Sequence, residues 1–327
     1  MRAAFYERQG PAKEVFRIGE LPIPEPGPGE VRVKLRTSGV NPSDWKVRKG
    51  GFGRGLIAPR VVPHSDGAGV VDAVGSGVST SRIGERVWIW NGQWKRPFGT
   101  AAEYVALPGA QAVALPPTAS DEAGACLGIP AFTAWQAVRM TAPGRDTTVL
   151  IAGGAGSVAH YAIQLAKLRG ARVLTTVSSA EKAAHARAAG ADAIINYREE
   201  DVGERVKALT DGRGVDAVIE MDLSRNARYY PTVLRPFATV AVYGMSTNEA
   251  TLPSLWLMQN NINLRFLFIY EISAEDHAAG IGELSELLTA NRLTHTIARR
   301  LPLTDIAEAH DIVEQGKLIG NVVLDIV

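Results

Sequence analysis

The sequence predicts an α/β protein of two domains: a strand-rich amino-terminal domain of barrel or sandwich type, and a doubly wound parallel sheet. Three observations carry this expectation. The 327 residues exceed what one compact core usually covers. The texture of the chain changes near residue 120, from short alternating runs dense in Gly and Pro to a regular exchange of apolar strands and helices. The first strand–helix junction of the second half is a glycine-rich turn.

In the first half, Val31-Arg32-Val33-Lys34-Leu35-Arg36-Thr37 places apolar residues on every second position, the pattern of a half-buried strand. Gly69-Val70-Val71 and Glu85-Arg86-Val87-Trp88-Ile89-Trp90 read the same way. Pro22, Pro24, Pro26 and Pro28 fall on alternate positions, which excludes helix and leaves an extended connector. In the second half, Thr148–Ala152 is a buried strand, followed by a helix from about Val158 to Leu168 with Val158, Ala162, Leu165 and Ala166 on one face. Strands at Arg172–Val177, Ala193–Ile195, Val215–Ile219 and Thr239–Tyr243 alternate with further helices, as a parallel sheet covered on both faces requires. Leu264–Phe268 is strand-like, two helical stretches follow, and Asn321–Ile326 closes the chain as a strand expected to return to the first domain.

The turn reads Gly153-Gly154-Ala155-Gly156-Ser157-Val158, between strand and helix, the place where a dinucleotide pyrophosphate is held. Small residues let the backbone approach the phosphates, and the free N–H groups and dipole of the helix start favour the anion. Ala159 stands where a third glycine often packs helix on strand. An acid about 20 residues after the glycines would hold the ribose hydroxyls of NAD. Here the second strand runs into Ser178 and Ser179, which leave room for a 2′-phosphate, with Lys182 one helical turn further on to neutralise it. The expected cofactor is therefore NADPH.

The formal net charge of +1 gives no electrostatic reason to expect nucleic acid or a membrane as partner. The single cysteine, Cys126, excludes an internal disulfide and a cysteine-rich metal site. There is no stretch of 18 uninterrupted apolar residues and no signal-peptide pattern in MRAAFYERQG, so the expected location is the cytoplasm.

Together with the turn, Pro26–Val31, Ser38–Asp44, Asp66–Val71, Gly99–Tyr104, Ala162–Lys167 and Ala188–Asp192 resemble the medium-chain dehydrogenase/reductase superfamily in its zinc-independent quinone oxidoreductase (ζ-crystallin-like) branch. The resemblance runs nearly end to end. It implies a GroES-like β-barrel catalytic domain at 1–122, a Rossmann NADPH-binding domain at 123–268, and a return to the catalytic domain at 269–327, with the active site in the cleft. It also implies a homodimer and transfer of reducing equivalents from NADPH to a quinone or another conjugated carbonyl acceptor.

Zinc-dependent relatives carry a cysteine where this chain has Asn41 and a histidine where it has Ser65, and neither residue here is a competent zinc ligand. His64, one residue away, has no second ligand beside it and reads as a structural or pocket-lining histidine. Without a Lewis acid the chemistry suits acceptors already activated by conjugation. Asn41 can donate a hydrogen bond to the acceptor oxygen, and Asp44 can orient it or relay a proton. The same two residues also read as a helix cap after a strand. The resemblance places Trp45 against the substrate, Thr133 beside the nicotinamide, and Tyr197 with Lys182 near the adenosine phosphate. It puts Tyr243, Gly244, Phe268 and Ile269 at the nicotinamide half, and Lys317 within reach of the 2′-phosphate. Trp94, near a loop, is a candidate to stack on a flat quinone ring, whereas the period-two run Trp88-Ile89-Trp90 reads as packing. Glu220-Met221-Asp222-Leu223 departs from the family's aspartate–small–hydrophobic–glycine pattern at the pocket floor. Two other readings stay open: an enone or enal double-bond reductase, and an NADPH-binding sensor or structural protein without turnover.

Overall fold

The computed structural model describes residues 1–51 and 55–326. It divides into two compact units, Met1–Pro130 with Ile281–Val327, and Ala131–Gly280.

The first unit is built on an antiparallel framework. Strands β1 (Arg2–Phe5) and β2 (Arg17–Glu20) pair with each other. The larger sheet contains β3 (Glu30–Val40), β4 (Asp66–Val74), β5 (Arg86–Ile89), β6 (Tyr104–Pro108) and β7 (Ala112–Ala114), together with β14 (Ile297–Pro302) and β15 (Asn321–Asp325). Its order is β14-β15-β3-β4-β5-β7, with β6 pairing β3. The alternation read at Val31–Thr37 is seen directly: Val31, Val33 and Leu35 are wholly buried, and they join a core that includes Tyr6, Val87, Ile89 and Leu107. β15 pairs antiparallel with β3, Val322 opposite Val40, so the end of the chain packs onto the first unit. Gly39 is required there, because a Cβ on it would lie 2.0 Å from the Ala125 carbonyl oxygen.

The second unit is a six-stranded parallel sheet of order β10-β9-β8-β11-β12-β13. Its strands are β8 (Thr148–Ile151), β9 (Arg172–Val177), β10 (Ala193–Asn196), β11 (Val215–Glu220), β12 (Leu234–Val242) and β13 (Asn263–Phe266). The order in which successive strands are added reverses beside β8, and such a switch point opens a crevice at the carboxyl ends of the strands. The helix after β8, Ser157–Leu168, buries Ala162, Leu165 and Ala166 as its periodicity demands. Val158 is only half-buried, because it lies in the first turn at the crevice.

The unit boundaries fall at 130/131 and 280/281, not at the expected 122/123 and 268/269. Residues 121–130 are held by the first unit: the Thr37 hydroxyl donates to the Asp121 carbonyl at 2.8 Å, and the Ile129 N–H donates to Asp66 at 3.1 Å. Residues 269–280 are held by the second, where Gln136 donates to Asp276 at 2.8 Å and the His277 ring stacks on Phe132 at 5.5 Å.

Candidate active site

β3 ends at Val40 and the chain turns at once into the helix Pro42–Arg48. Asn41 is extended (φ −113°, ψ 158°) and Pro42 takes the first helical position, where its missing N–H costs nothing. The Asp44 carboxylate reaches back and accepts the Asn41 N–H at 2.7 Å. The expected capping role is therefore real, and it leaves the Asn41 amide nitrogen available. Its amide Nδ2 donates to Asp66 Oδ2 at 2.8 Å, and Asp66 also accepts the Ile129 N–H. All three polar residues are buried: Asn41, Asp44 and Asp66 expose 4%, 7% and 0% of their surface. Burial pushes the Asp44 carboxyl up to about 7, against the pull of the Asn41 N–H. Burial also raises Asp66 well above the usual carboxylate range; the Asn41 and Ile129 bonds oppose this, and nearby Asp44 adds to it. The cluster thus holds an amide donor beside a carboxyl group that changes protonation near neutral pH.

Trp45 is half-buried on the same helix, with Lys46 and Lys49 near its ring face. Trp94 is half-buried in the loop after β5, and Lys95 lies over its ring at 5.7 Å. Trp88 is fully buried, in keeping with packing. His64 is fully buried, with Ser38 on one ring nitrogen and His310 on the other. Lys317 lies exposed in the first unit, just past the left-handed Gly316 that ends the helix Ile306–Gln315.

In the second unit the carboxyl ends of the strands gather most of the expected nucleotide residues. Gly153 is left-handed (φ 70°), its N–H donates to Thr176 Oγ1, and the Gly154 N–H donates to the Thr176 carbonyl. Gly156 caps the helix with no side chain over it, so the first-turn N–H groups from Ser157 and Val158 onward face the crevice, with Ala155 buried behind them. Ser179 caps the next helix through the Lys182 N–H, Ser178 precedes it, and both serines are half-buried. Tyr197, half exposed, is tied to the same edge by its N–H on the Val177 carbonyl. Tyr243 and Gly244 follow β12; a Cβ on Gly244 would sit 2.2 Å from the Met221 carbonyl oxygen. Phe268 and Ile269 follow β13, the first partly exposed and the second buried. Thr133 is buried on the helix Phe132–Thr141.

Several site residues were not picked out in the sequence. Asp66 is 25 positions from the amide it holds, and no local pattern marks that pairing. Arg198 is exposed beside Tyr197 and adds a cation to the same edge of the second unit. Met221 forms the floor under the turn, since a Cβ on Gly153 would meet its sulfur at 2.2 Å. Glu220 behind it is buried and accepts from the Asp222 N–H, Asn226 and Tyr230, so the departure from the family pattern builds a closed polar knot beneath the crevice.

These features fit a dinucleotide. The turn has no Cβ at the points of close approach, a helix start free of side-chain capping lies next to it, and no acid occupies the end of β9. Residues 27–117 match the family model described as alcohol dehydrogenase GroES-like domain, and residues 157–286 match that of zinc-binding dehydrogenase. The quinone oxidoreductase of Pseudomonas aeruginosa is 31% identical over 333 residues, covering 99% of this chain and 98% of that protein. A 2-haloacrylate reductase from a Burkholderia species is 29% identical over 348 residues, covering 99% and 98%. The crystal structure of Escherichia coli quinone oxidoreductase complexed with NADPH superposes with a TM-score of 0.85 at 26% identity, covering 100% of both chains. The chain is a two-domain oxidoreductase of GroES-like and Rossmann type. It belongs to the medium-chain dehydrogenase/reductase superfamily, in its quinone oxidoreductase branch.

Proposed function

We propose that this protein is an NADPH-dependent quinone oxidoreductase that works without zinc. The observation that carries the reading is the buried Asn41, whose backbone N–H is held by Asp44 and whose side-chain amide is held by Asp66. NADPH, when bound, supplies the hydride. The helix-start N–H groups at Ser157 and Val158 hold the pyrophosphate, and Ser178, Ser179 and Lys182 take the 2′-phosphate, with Arg198 adding positive potential. One N–H of the Asn41 amide goes to Asp66, which leaves the other to donate to the acceptor oxygen as it gains charge. Asp44, poised near 7, holds the proton which that oxygen needs. Zinc independence rests on the donors: Asn41 and Ser65 supply no thiolate or imidazole, and both His64 ring nitrogens are engaged.

A conjugated alkene is the second reading, favoured by the similarity to a 2-haloacrylate reductase. A binding-only role is disfavoured, because an amide and two carboxyls buried together are costly to keep without use. A homodimer is supported by β13, an open sheet edge with Phe266 62% exposed, flanked by Leu255 and Met258 on the preceding helix at 63% and 70%. A reducing compartment such as the cytoplasm fits a chain whose only cysteine is buried and free. Among the described residues no helix is long and apolar enough to cross a membrane.

The test is the pH profile of quinone reduction. With Asp44 donating as the neutral acid, kcat/KM falls as pH rises through about 7. In Asp44→Asn that limb disappears at a rate roughly 10²-fold lower. A variant that keeps the same limb removes Asp44 from proton delivery.

A further inference from the structure

Behind Asn41 a series of polar side chains crosses the interior of the first unit. Thr100 Oγ1 donates to the Asp66 carbonyl at 2.5 Å, and Ser38 Oγ lies 2.8 Å from Thr100 Oγ1. His64 Nδ1 is 2.9 Å from Ser38 Oγ, and His64 Nε2 is 2.9 Å from His310 Nε2. His310 Nδ1 accepts from Arg48 Nε at 3.4 Å, and Arg48 reaches Glu314 at 3.1 Å. Thr100, Ser38, His64, His310 and Arg48 are all wholly buried.

Both ends of this series impose the same direction. A backbone carbonyl only accepts, so the Thr100 hydrogen is spent on Asp66 and Thr100 must accept from Ser38. Ser38, having given its hydrogen to Thr100, must accept from His64 Nδ1–H. From the other end, a guanidinium only donates, so His310 Nδ1 is bare and its proton sits on Nε2. That proton can go only to a bare His64 Nε2, which again puts the His64 proton on Nδ1. Burial keeps both rings neutral, drawing His64 down to about 3 and His310 well below its ordinary value, and charge on either ring would set two N–H groups face to face.

His64 also has a left-handed backbone (φ 78°), a conformation that suits glycine and carries some strain for any residue with a side chain, although histidine adopts it more often than most. The imidazole is kept at that cost, and what it provides is the link between His310 and Ser38.

We propose that Arg48, His310, His64, Ser38 and Thr100 form a one-way hydrogen-bond series that fixes Asp66, and that Asp66 in turn positions the Asn41 amide for the acceptor. These are positioning residues, and their purpose rests on the reading of Asn41 as the donor.

Nitrogen NMR of the histidine-labelled protein, without cofactor, reads the tautomers directly. At neutral pH the expected pattern is a protonated Nδ1 with a bare Nε2 at His64, and the reverse at His310. The opposite tautomer at either ring, or an imidazolium, overturns the series. His64→Gly removes the link and relieves the backbone. It is expected to lower kcat about tenfold with the KM for NADPH unchanged, and to shift the side-chain amide resonance of Asn41 in the cofactor-free protein. Wild-type kcat and an unmoved resonance overturn the positioning role. Ser38→Ala, which deletes one hydroxyl, is expected to give the same split and serves where His64→Gly does not fold. Asn41→Ala is run beside them. A slow Asn41→Ala with a fast His64→Gly defeats the positioning alone, whereas a wild-type rate in Asn41→Ala defeats the donor reading and the purpose of the series with it.

Discussion

Arg48→Ala is expected to lower the thermal unfolding midpoint by roughly 10 °C. Arg48 is wholly buried and its guanidinium serves three acceptors: the Gly10 carbonyl, His310 and Glu314. Removing one partner of a buried network leaves the others desolvated and unpaired, a cost of ~3–5 kcal/mol. Lys49 still pairs with Glu314, so the carboxylate is not abandoned, but the carbonyl and the imidazole are. Lysine cannot substitute, since a single ammonium does not span the three directions of the fork. A midpoint shift of only about 2 °C in Arg48→Ala, measured by calorimetry, would mean that the pocket relaxes or admits water.

The second large effect is expected on cofactor binding. Gly154→Val is predicted to weaken NADPH by about a hundredfold, or ~3 kcal/mol. A Cβ at Gly154 would lie 2.3 Å from Thr175 Oγ1 and 2.8 Å from its Cγ2. Thr175 is fully buried and its hydroxyl donates to the Ile151 carbonyl, so it cannot swing away without breaking that bond. The turn must move instead, and its N–H groups lose their aim. Gly144→Ala is the control, because it precedes β8 at the end away from the turn and its Cβ would meet nothing within 4 Å. Fluorescence titration with NADPH should separate the two; equal affinities would remove the turn from phosphate binding.

What could be read in the sequence and what could not follows from how far apart the partners lie. The turn, its flanking strand and helix, and the Ser178–Lys182 cap are contiguous, so periodicity and capping residues reveal them directly. The helix expected from about Val158 runs from Ser157, and the strand expected at Thr239–Tyr243 is the end of the longer β12, whose start at Leu234 is obscured by Pro236. Asn41 and Asp44 are three apart and announce a cap, but the partner that orients the Asn41 amide is not local. Arg48 and His310 meet across 262 positions, and nothing near either residue in the sequence foretells it. His310 looks from its surroundings like any packed helix histidine, and His64 was separable from a zinc ligand only by the lack of a second ligand. The Glu220 knot was equally invisible, because its acceptors are satisfied by Asn226 and Tyr230 on the irregular segment before β12.

The most direct test of the account is NADPH oxidation followed by absorbance on chelator-treated protein, against matched panels of quinones and enones, with NADH and Lys182→Ala run alongside. The enzyme is expected to turn over quinones with NADPH and more slowly with NADH, and Lys182→Ala to lose about tenfold in NADPH affinity while NADH is barely affected. Tight NADPH binding with no turnover on either panel, or equal loss of both cofactors in Lys182→Ala, would contradict it; a clear preference for enones would move the reaction to the alkene.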